Sequence, residues 1–371
     1  MIFPPEQMFR SGVKDLRGWS GRTARFHYNR SREIINEVVH SFLDLYGPEE
    51  LVQGFAEPFF TDFVITAAGL DDTSADSTLF MGSVLKEVIS PRDGAAVLGG
   101  KFVTRFRIPN ELPEVARLFG FSDTMVERLL YCSRMVAKTD SVALQDGFDL
   151  YFHMMILSST GVWTVIQQSI NPYTFAVRRY HWFSGRVKSF VDEPHTGIIC
   201  DEIRQRVLDM TAKASSESRQ ASLEILERDA AKLQRLHMFG RLTNQTTLDD
   251  EGKSVADFLK PMEKINWALV YKLGEQRPES YEELLAVKQV GRGIVRLLAF
   301  GVYMMYGVKP SLRDPAYPAS QYTAKYEESY FLWRLQQLVD AIKSSTLAPE
   351  LKRYSLHRLG EVFGEGEPVS A

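Results

Sequence analysis

Cysteine is almost missing from this chain. Its 371 residues hold two, Cys132 and Cys200. Two distant thiols exclude a disulfide framework and a four-thiolate zinc site, and they fit a reducing compartment. Long apolar runs are missing too: the longest, Leu297–Val308, has 12 residues, against the roughly 20 that span a bilayer. The opening stretch MIFPPEQMFR has no charged segment followed by an apolar one. No secretory signal is therefore expected, and a cytoplasmic protein without membrane contact is. Internal repeats and low-complexity tracts are absent. A phosphate-binding Gly-rich loop is not found either, because Gly99-Gly100-Lys101 runs into Phe102 without the required flanking spacing. Charge of one sign is scarce: 44 Lys+Arg stand against 47 Asp+Glu, a net of −3, which by itself speaks mildly against a constitutive nucleic-acid binder.

What is present is an ordinary globular composition, 44% hydrophobic and 25% charged, over a length of 371 residues that corresponds to about two domains. The near-neutral total hides segregation. Between Asp149 and Asp192 there is no acid, only Arg178, Arg179, Arg186 and Lys188. From Ala286 to Arg313 there is again no acid, only Lys288, Arg292, Arg296, Lys309 and Arg313. Such islands create local fields that the net charge conceals.

Periodicity points to an α+β protein: a mixed α/β domain with a central β-hairpin over 1–240, a linker at 241–253, and an all-α domain over 254–371. Apolar spacing predicts a helix from about Asn29 to Tyr46, stopped at Gly47-Pro48, and Ser122-Asp123 predicts the start of another. Leu150–Leu157 and Val162–Ile166, separated by Ser158-Ser159-Thr160-Gly161, read as a hairpin. The pattern turns helical from Asp201 to about His237, and again from Ser254 onward.

Residues 281–306 resemble a helix-hairpin-helix. Ser280 and Glu283 have capping-box spacing, and Gly291 and Gly293 separate a short helix from a longer one. In that motif the amides opening the second helix bind a DNA phosphate without reading sequence. Here Gly291 and Gly293 would supply the backbone, with Lys288, Arg292 and Arg296 adding charge. Gln289 replaces the usual first glycine of the turn. Gly293 occupies the position of the lysine nucleophile found in some glycosylases with this motif, which excludes a Schiff-base lyase through it. Asp314 falls near their aspartate, but is read first as a turn residue in Arg313-Asp314-Pro315.

The densest polar chemistry lies between Lys138 and Glu202. If the hairpin turns about Thr160, His153 faces Gln167 across the ladder. Asp140, Gln145, Asp146 and Asp149 precede the first strand or begin it, Gln167 and Gln168 lie on the second, and Arg178, Arg179 and His181 follow. Polar groups on such apolar strands need partners or a function. Asp140, Gln145, Asp146, His153, Gln167, Gln168 and His181 are the candidate catalytic residues. Lys138, Arg178 and Arg179 join the C-terminal group as candidate nucleic-acid contacts, and Asp146, Asp149, Glu193 and His195 are candidate metal ligands.

The segments R10-S-G, G99-G-K, S133-R-M-V-A-K-T-D, A143-L-Q-D-G, V165-I-Q-Q, R178-R-Y-H-W, E193-P-H and the VGxG hairpin ending in R313-D-P resemble those of the archaeal and bacterial "domain of unknown function 763" family. The resemblance spans residues of about 10 to 315. The chain departs from it at Gln289, at Gly293 in place of a lysine, and in lacking a Gly-rich stretch after Arg313-Asp314-Pro315. It implies a DNA-related protein and no settled activity.

Three functions are expected in order. The first is a DNA-binding, DNA-processing or repair enzyme, a nuclease or a base-repair hydrolase. A nuclease would use Mg or Mn on the acids near the hairpin. A base-repair enzyme would read a flipped base with Gln167 and Gln168, stack it on Tyr151 or Trp182 and activate water with Asp146. The second is a non-catalytic nucleic-acid-binding accessory protein. The third is a small-molecule enzyme taking an anionic substrate into a cleft of Arg178, Arg179, His181 and His195.

Overall fold

A computed structural model describes residues 22–70, 77–101, 107–239 and 250–363. The chain opens with α1 (Arg22–Ala56), α2 (Pro58–Ala67) and α3 (Ser77–Val88), then β1 (Ala95–Lys101), α4 (Arg107–Phe119) and α5 (Asp123–Lys138). A π-helical turn, Thr139–Ala143, leads into β2 (Leu144–Gln145). β3 (Asp149–Ser158), β4 (Trp163–Ile170), β5 (Val177–Phe183), β6 (Gly197–Cys200) and β7 (Leu208–Asp209) follow. The rest is helical: α6 (Ser216–Arg228), α7 (Ala230–Phe239), α8 (Asp250–Leu259), α9 (Trp267–Gln276), α10 (Tyr281–Ala286), α11 (Arg292–Tyr306), α12 (Tyr322–Lys325), α13 (Glu328–Ser344) and α14 (Pro349–Phe363). The expected α+β class is what is found.

Local signals account for several boundaries. Gly47, at φ 84°, and Pro48 kink α1 where the sequence placed a stop. Ser122 caps α5 by accepting from the Met125 amide at 3.3 Å. The central sheet is antiparallel in the order β1-β3-β4-β5-β6, and β2 pairs with β7. The expected hairpin is β3–β4, with His153 opposite Gln167.

Both faces of the sheet are buried. Phe152, Met154, Ile156 and Ile166 pack with α1–α3 and with Phe331, Leu338 and Ile342 of α13. Met155, Leu157, Val165, Tyr180 and Trp182 pack on the other side with α5 and with residues of α6 to α11. Each apolar cluster therefore draws on residues from both sides of the expected linker. Most of that linker, 241–249, lies outside the described residues, as does the Arg10-Ser11-Gly12 segment.

Two stretches expected to be helical are not. Residues 201–215 and 308–318 are mostly irregular, with β7, a 3-10 turn at Lys213–Ser215 and isolated bridges at Ser311 and Tyr317, because their backbone groups pair with each other and with neighbours. The Val207 amide donates to Leu312 O at 3.1 Å, Asp209 to Ser311 O at 3.0 Å, and Cys200 to Tyr317 O at 3.1 Å. Long-range pairing outweighs the local helical pattern.

Gly99-Gly100 has a packing role. Gly99 has φ +81°, and a Cβ there would lie 2.3 Å from the His153 carbonyl oxygen. Its amide donates to Glu111 Oε2 at 2.8 Å and its carbonyl accepts from Lys86 Nζ at 2.8 Å. Gly99→Ala is expected to cost about 2–4 kcal/mol through left-handed strain and the backbone clash. Denaturant unfolding checks it, and a change under about 0.5 kcal/mol would refute the close approach.

Candidate active site

One continuous hydrogen-bond chain runs from the sheet to a surface cavity. Gln167 Nε2 donates to Asp140 Oδ2, so its Oε1 must accept. His153 Nδ1 then carries the proton and donates to that oxygen at 2.7 Å. His153 Nε2 in turn accepts from the Ser133 hydroxyl at 2.9 Å. Trp182 Nε1 donates to Asp140 Oδ2 at 2.9 Å, and His195 Nε2 donates to Asp140 Oδ1 at 2.5 Å. Three donors thus converge on the Asp140 carboxylate. The π-helical turn that begins at Thr139 places it there; such turns recur at functional sites. Asp140 is 2% exposed.

His195 stands where this chain meets solvent. Its ring packs edge-on to Trp182, 4.6 Å between centroids, and lines a cavity of about 800 Å³. Only Nε2 is engaged, so Nδ1 has no partner among the described residues. Asp209 lines the same cavity. Its Oδ1 accepts from the Thr211 amide at 2.8 Å, the Thr211 hydroxyl at 2.6 Å and the Ala212 amide at 3.1 Å. Burial raises the Asp209 carboxyl above its ordinary range, opposed by the Thr211 bonds and by His195. Arg204, Arg313 and Lys325 also line the cavity.

Asp314 makes the expected turn bond, its Oδ1 accepting from the Ala316 amide at 3.0 Å, but it is not a free acid. Arg178, fully buried, donates to its Oδ2 at 2.6 Å and to Asp146 Oδ2 at 2.9 Å. The Arg204 amide adds 2.7 Å to Asp314 Oδ2, and the Tyr180 hydroxyl 2.6 Å to Asp146 Oδ2. Burial raises Asp146 against the pull of Arg178 and Tyr180. Asp146 is thus part of an internal ion-pair network and does not face the cavity floor as a water-activating base.

Several expected site residues are corrected by the alternation of side chains along a strand. Arg178, Tyr180 and Trp182 share the face of His153 and Gln167, whereas Gln168, Arg179 and His181 lie on the other. Arg179 pairs with Asp62 at 2.6 Å and donates to His181 Nε2 at 2.9 Å. Gln168 donates to the Tyr151 hydroxyl at 2.7 Å. Arg178, Arg179 and His181 therefore form no common cleft and offer no phosphate a surface. Trp182, fully buried, offers no stacking face to a base. The four metal candidates do not converge: Asp146 is held by Arg178, Asp149 by Arg292 at 3.1 Å, and His195 by Asp140. Glu193, exposed, lines the cavity rim. Among the described residues no group of three or more His, Cys, Asp or Glu is placed to hold a metal ion.

The two helices around 281–306 are present, with Ser280 capping the first at 3.1 Å. Neither Gln289 nor Gly291 takes a positive φ, so the turn does not need glycine at 289. Its cations, however, are used internally. Arg292 donates to Ser141 O at 2.5 Å and Phe148 O at 2.9 Å, besides pairing with Asp149. Arg296 donates to Gln145 Oε1 at 2.9 Å and to Phe258 O. Gln145 Nε2 donates to Arg292 O at 3.0 Å. Lys138 donates to Val287 O, and burial pushes its ammonium down to about 8. A Cβ at Gly293 would lie 3.5 Å from Glu263 Oε2, so a carboxylate already stands beside the opening turn of α11. Lys288 alone of the expected cationic contacts is exposed. The arginines fasten this turn to the Ser141–Asp149 segment rather than offering it to DNA.

Two of the buried histidines, His153 and His181, set an acid limit on stability. His181 accepts from Arg179 at Nε2 and donates from Nδ1 to Phe55 O at 3.0 Å, so protonation would set two N–H groups against each other. Burial, then Arg179, holds it well below 6.5, and burial lowers His153 from 6.5. The unfolded chain takes up these protons as pH falls through 6.5, and the native chain does not. Stability is therefore full above pH 6.5 and lost below it. About a pH unit below that, the slope from His181 approaches about 1.4 kcal/mol per pH unit, and His153 adds to it in the same direction. Asp146 and Asp209, with raised values, act in the opposite sense at the acid end. Urea unfolding across this range checks the slope, and a flat profile would contradict neutral, locked imidazoles.

Comparison with known proteins yields a family and nothing more specific. The family model described as "Protein of unknown function (DUF763)" matches residues 12–327. No curated protein matches the chain, and no solved structure does. No helix among the described residues is long and apolar enough to cross a membrane.

Proposed function

Because the chain belongs to the DUF763 family, whose description carries no activity, we propose a function from the site itself: an acid–base hydrolase for an anionic substrate. The observation that carries it is the Asp140–His195 pair, with His195 Nδ1 unpartnered at the wall of the cavity. A carboxylate that fixes one imidazole nitrogen as a donor leaves the other as a base. His195 Nδ1 takes a proton from water as its oxygen bonds to the substrate's electrophilic centre. The broken bond's leaving group then receives a proton, from His195 Nδ1 or from Asp209, whose raised pKa suits an acid. Arg313 and Lys325 supply the positive charge that an anionic substrate requires, Arg204 being paired with Glu202.

DNA processing belongs to this reading as one choice of substrate. Its support has moved from Arg178, Arg179, Arg292 and Arg296, which are spent internally, to the cavity rim. The test is a panel of single-stranded, duplex, branched and base-modified oligonucleotides together with phosphorylated small molecules, with and without Mg²⁺ or Mn²⁺. Bond cleavage that depends on His195 is expected for at least one member. Cleavage indifferent to His195 would overturn the assignment.

A further inference from the structure

The turn joining β4 to β5 presents two aromatic rings to solvent. Tyr173 is 89% exposed and Phe175 64%. The turn is well tied. Asn171 Oδ1 accepts from the Tyr173 amide at 2.9 Å and the Thr174 amide at 3.2 Å. The Phe175 amide donates to Asn171 O, and the Asn171 amide to Ala176 O, both at 2.9 Å. Phe175 holds φ 61°, a left-handed conformation that is costly for a bulky residue. Folding gains little from these rings, since neither is buried. A strained, pre-organised display of aromatic surface is a feature of binding sites.

The turn is coupled to the cavity. The Thr174 hydroxyl donates to Glu202 Oε2 at 2.9 Å, and Glu202 Oε1 pairs with Arg204 at 2.6 Å. Arg204 and the 54% exposed Ile203 line the cavity, as do Arg313 and Lys325. Three acids of the neighbourhood are committed, Glu202 to Arg204 and Thr174, Asp314 to Arg178, and Asp201 Oδ2 to the Val177 amide at 3.0 Å, while Glu193 stands exposed at the rim.

We propose that this aromatic tip and cationic rim bind a single nucleic-acid strand, with bases stacked on Tyr173 and Phe175 and phosphates on Arg313 and Lys325, Arg204 being paired with Glu202. This names the substrate class of the site proposed above and rests on that reading. Rings stack on any base face and cations follow the backbone, which together make a sequence-tolerant strand site. In a duplex those base faces are covered. A cavity of about 800 Å³ also falls in the range that takes a drug-sized or nucleotide-sized unit. A protein partner would have use for the rings but not for Arg313 and Lys325 at the mouth of an open cavity.

The test is fluorescence anisotropy with a labelled single-stranded oligonucleotide of about a dozen nucleotides, a length that covers one such site. Wild-type protein is expected to bind in a salt-sensitive manner. Tyr173→Ala with Phe175→Ala is expected to weaken binding by about 30-fold or more. Arg313→Ala with Lys325→Ala is expected to reduce the slope of log affinity against log salt by about 1.4, or 0.7 per phosphate contact. Phe175→Gly relieves the left-handed strain, so it should raise the melting temperature while weakening binding, an outcome misfolding does not produce. The proposal is overturned if wild-type protein ignores the strand, or if the double aromatic variant binds it as wild-type does. It is equally overturned if sedimentation shows that this variant only dissolves a dimer of the chain. His195→Gln should bind the strand normally. If it also turns over substrate at the wild-type rate, the acid–base reading fails while the strand site stands.

Discussion

Replacing Arg178 with alanine is expected to lower the stability of the fold by about 3–5 kcal/mol. Its guanidinium is fully buried between Asp146 and Asp314, lies 4.4 Å over the Phe148 ring, and also donates to Glu202 O at 3.3 Å. Taking it away leaves two carboxylates in an interior that has already desolvated them. Loss of the pair's attraction is the smaller part of the damage; stranding its partners is the larger. Arg178→Met keeps most of the volume and should be nearly as harmful. Adding Asp146→Asn and Asp314→Asn to Arg178→Met should recover much of the loss, because the stranded charges go with them. Urea unfolding of the three variants measures this. A loss below about 1 kcal/mol for Arg178→Ala would mean that water reaches both carboxylates.

The second large effect belongs to Asp140. Asp140→Asn keeps an oxygen for the Gln167 and Trp182 donors but turns its amide toward His195 Nε2. That nitrogen must then accept, so the proton moves to Nδ1, the nitrogen left for the cavity. The base is removed without deleting the ring. Turnover is expected to fall by about 10²–10⁴-fold, the range of a misoriented or mistautomerised histidine. Substrate affinity should change little, since Asp140 does not line the cavity. Nitrogen-detected NMR of the His195 ring reports the tautomer directly, with the proton on Nε2 in the wild type and on Nδ1 in the variant. An Nδ1 proton in the wild type would contradict the assigned direction of the chain.

Part of this site was legible from residues alone. The turn at Ser158-Ser159-Thr160-Gly161 sets the β3–β4 register, and the register puts His153 opposite Gln167. Strand alternation further divides Arg178 from Arg179, a consequence of period two that clustering by sequence distance ignores. The charge islands misled for a related reason. A run without acids looks solvated when read linearly, yet Arg178 meets Asp314 across 136 residues and Arg292 meets Asp149 across 143. The compensating acids were outside the run. The cavity had no local signature. Asp209, Arg204 and Lys325 come together only because residues 198–209 pair with 311–317, a contact carried by backbone hydrogen bonds between stretches of mixed composition. Glu193 and His195 were singled out as ligands of a metal, whereas the Asp140–His195 bond assigns His195 a different chemistry.

The measurement that bears most directly on the central claim is the turnover of His195→Gln beside wild-type protein, on whichever substrate of the oligonucleotide and phosphorylated small-molecule panel the wild type cleaves. In His195→Gln, kcat is expected to fall by about 10²-fold or more while KM stays within a few-fold. Equal kcat for the two proteins, with the variant folded, would contradict it.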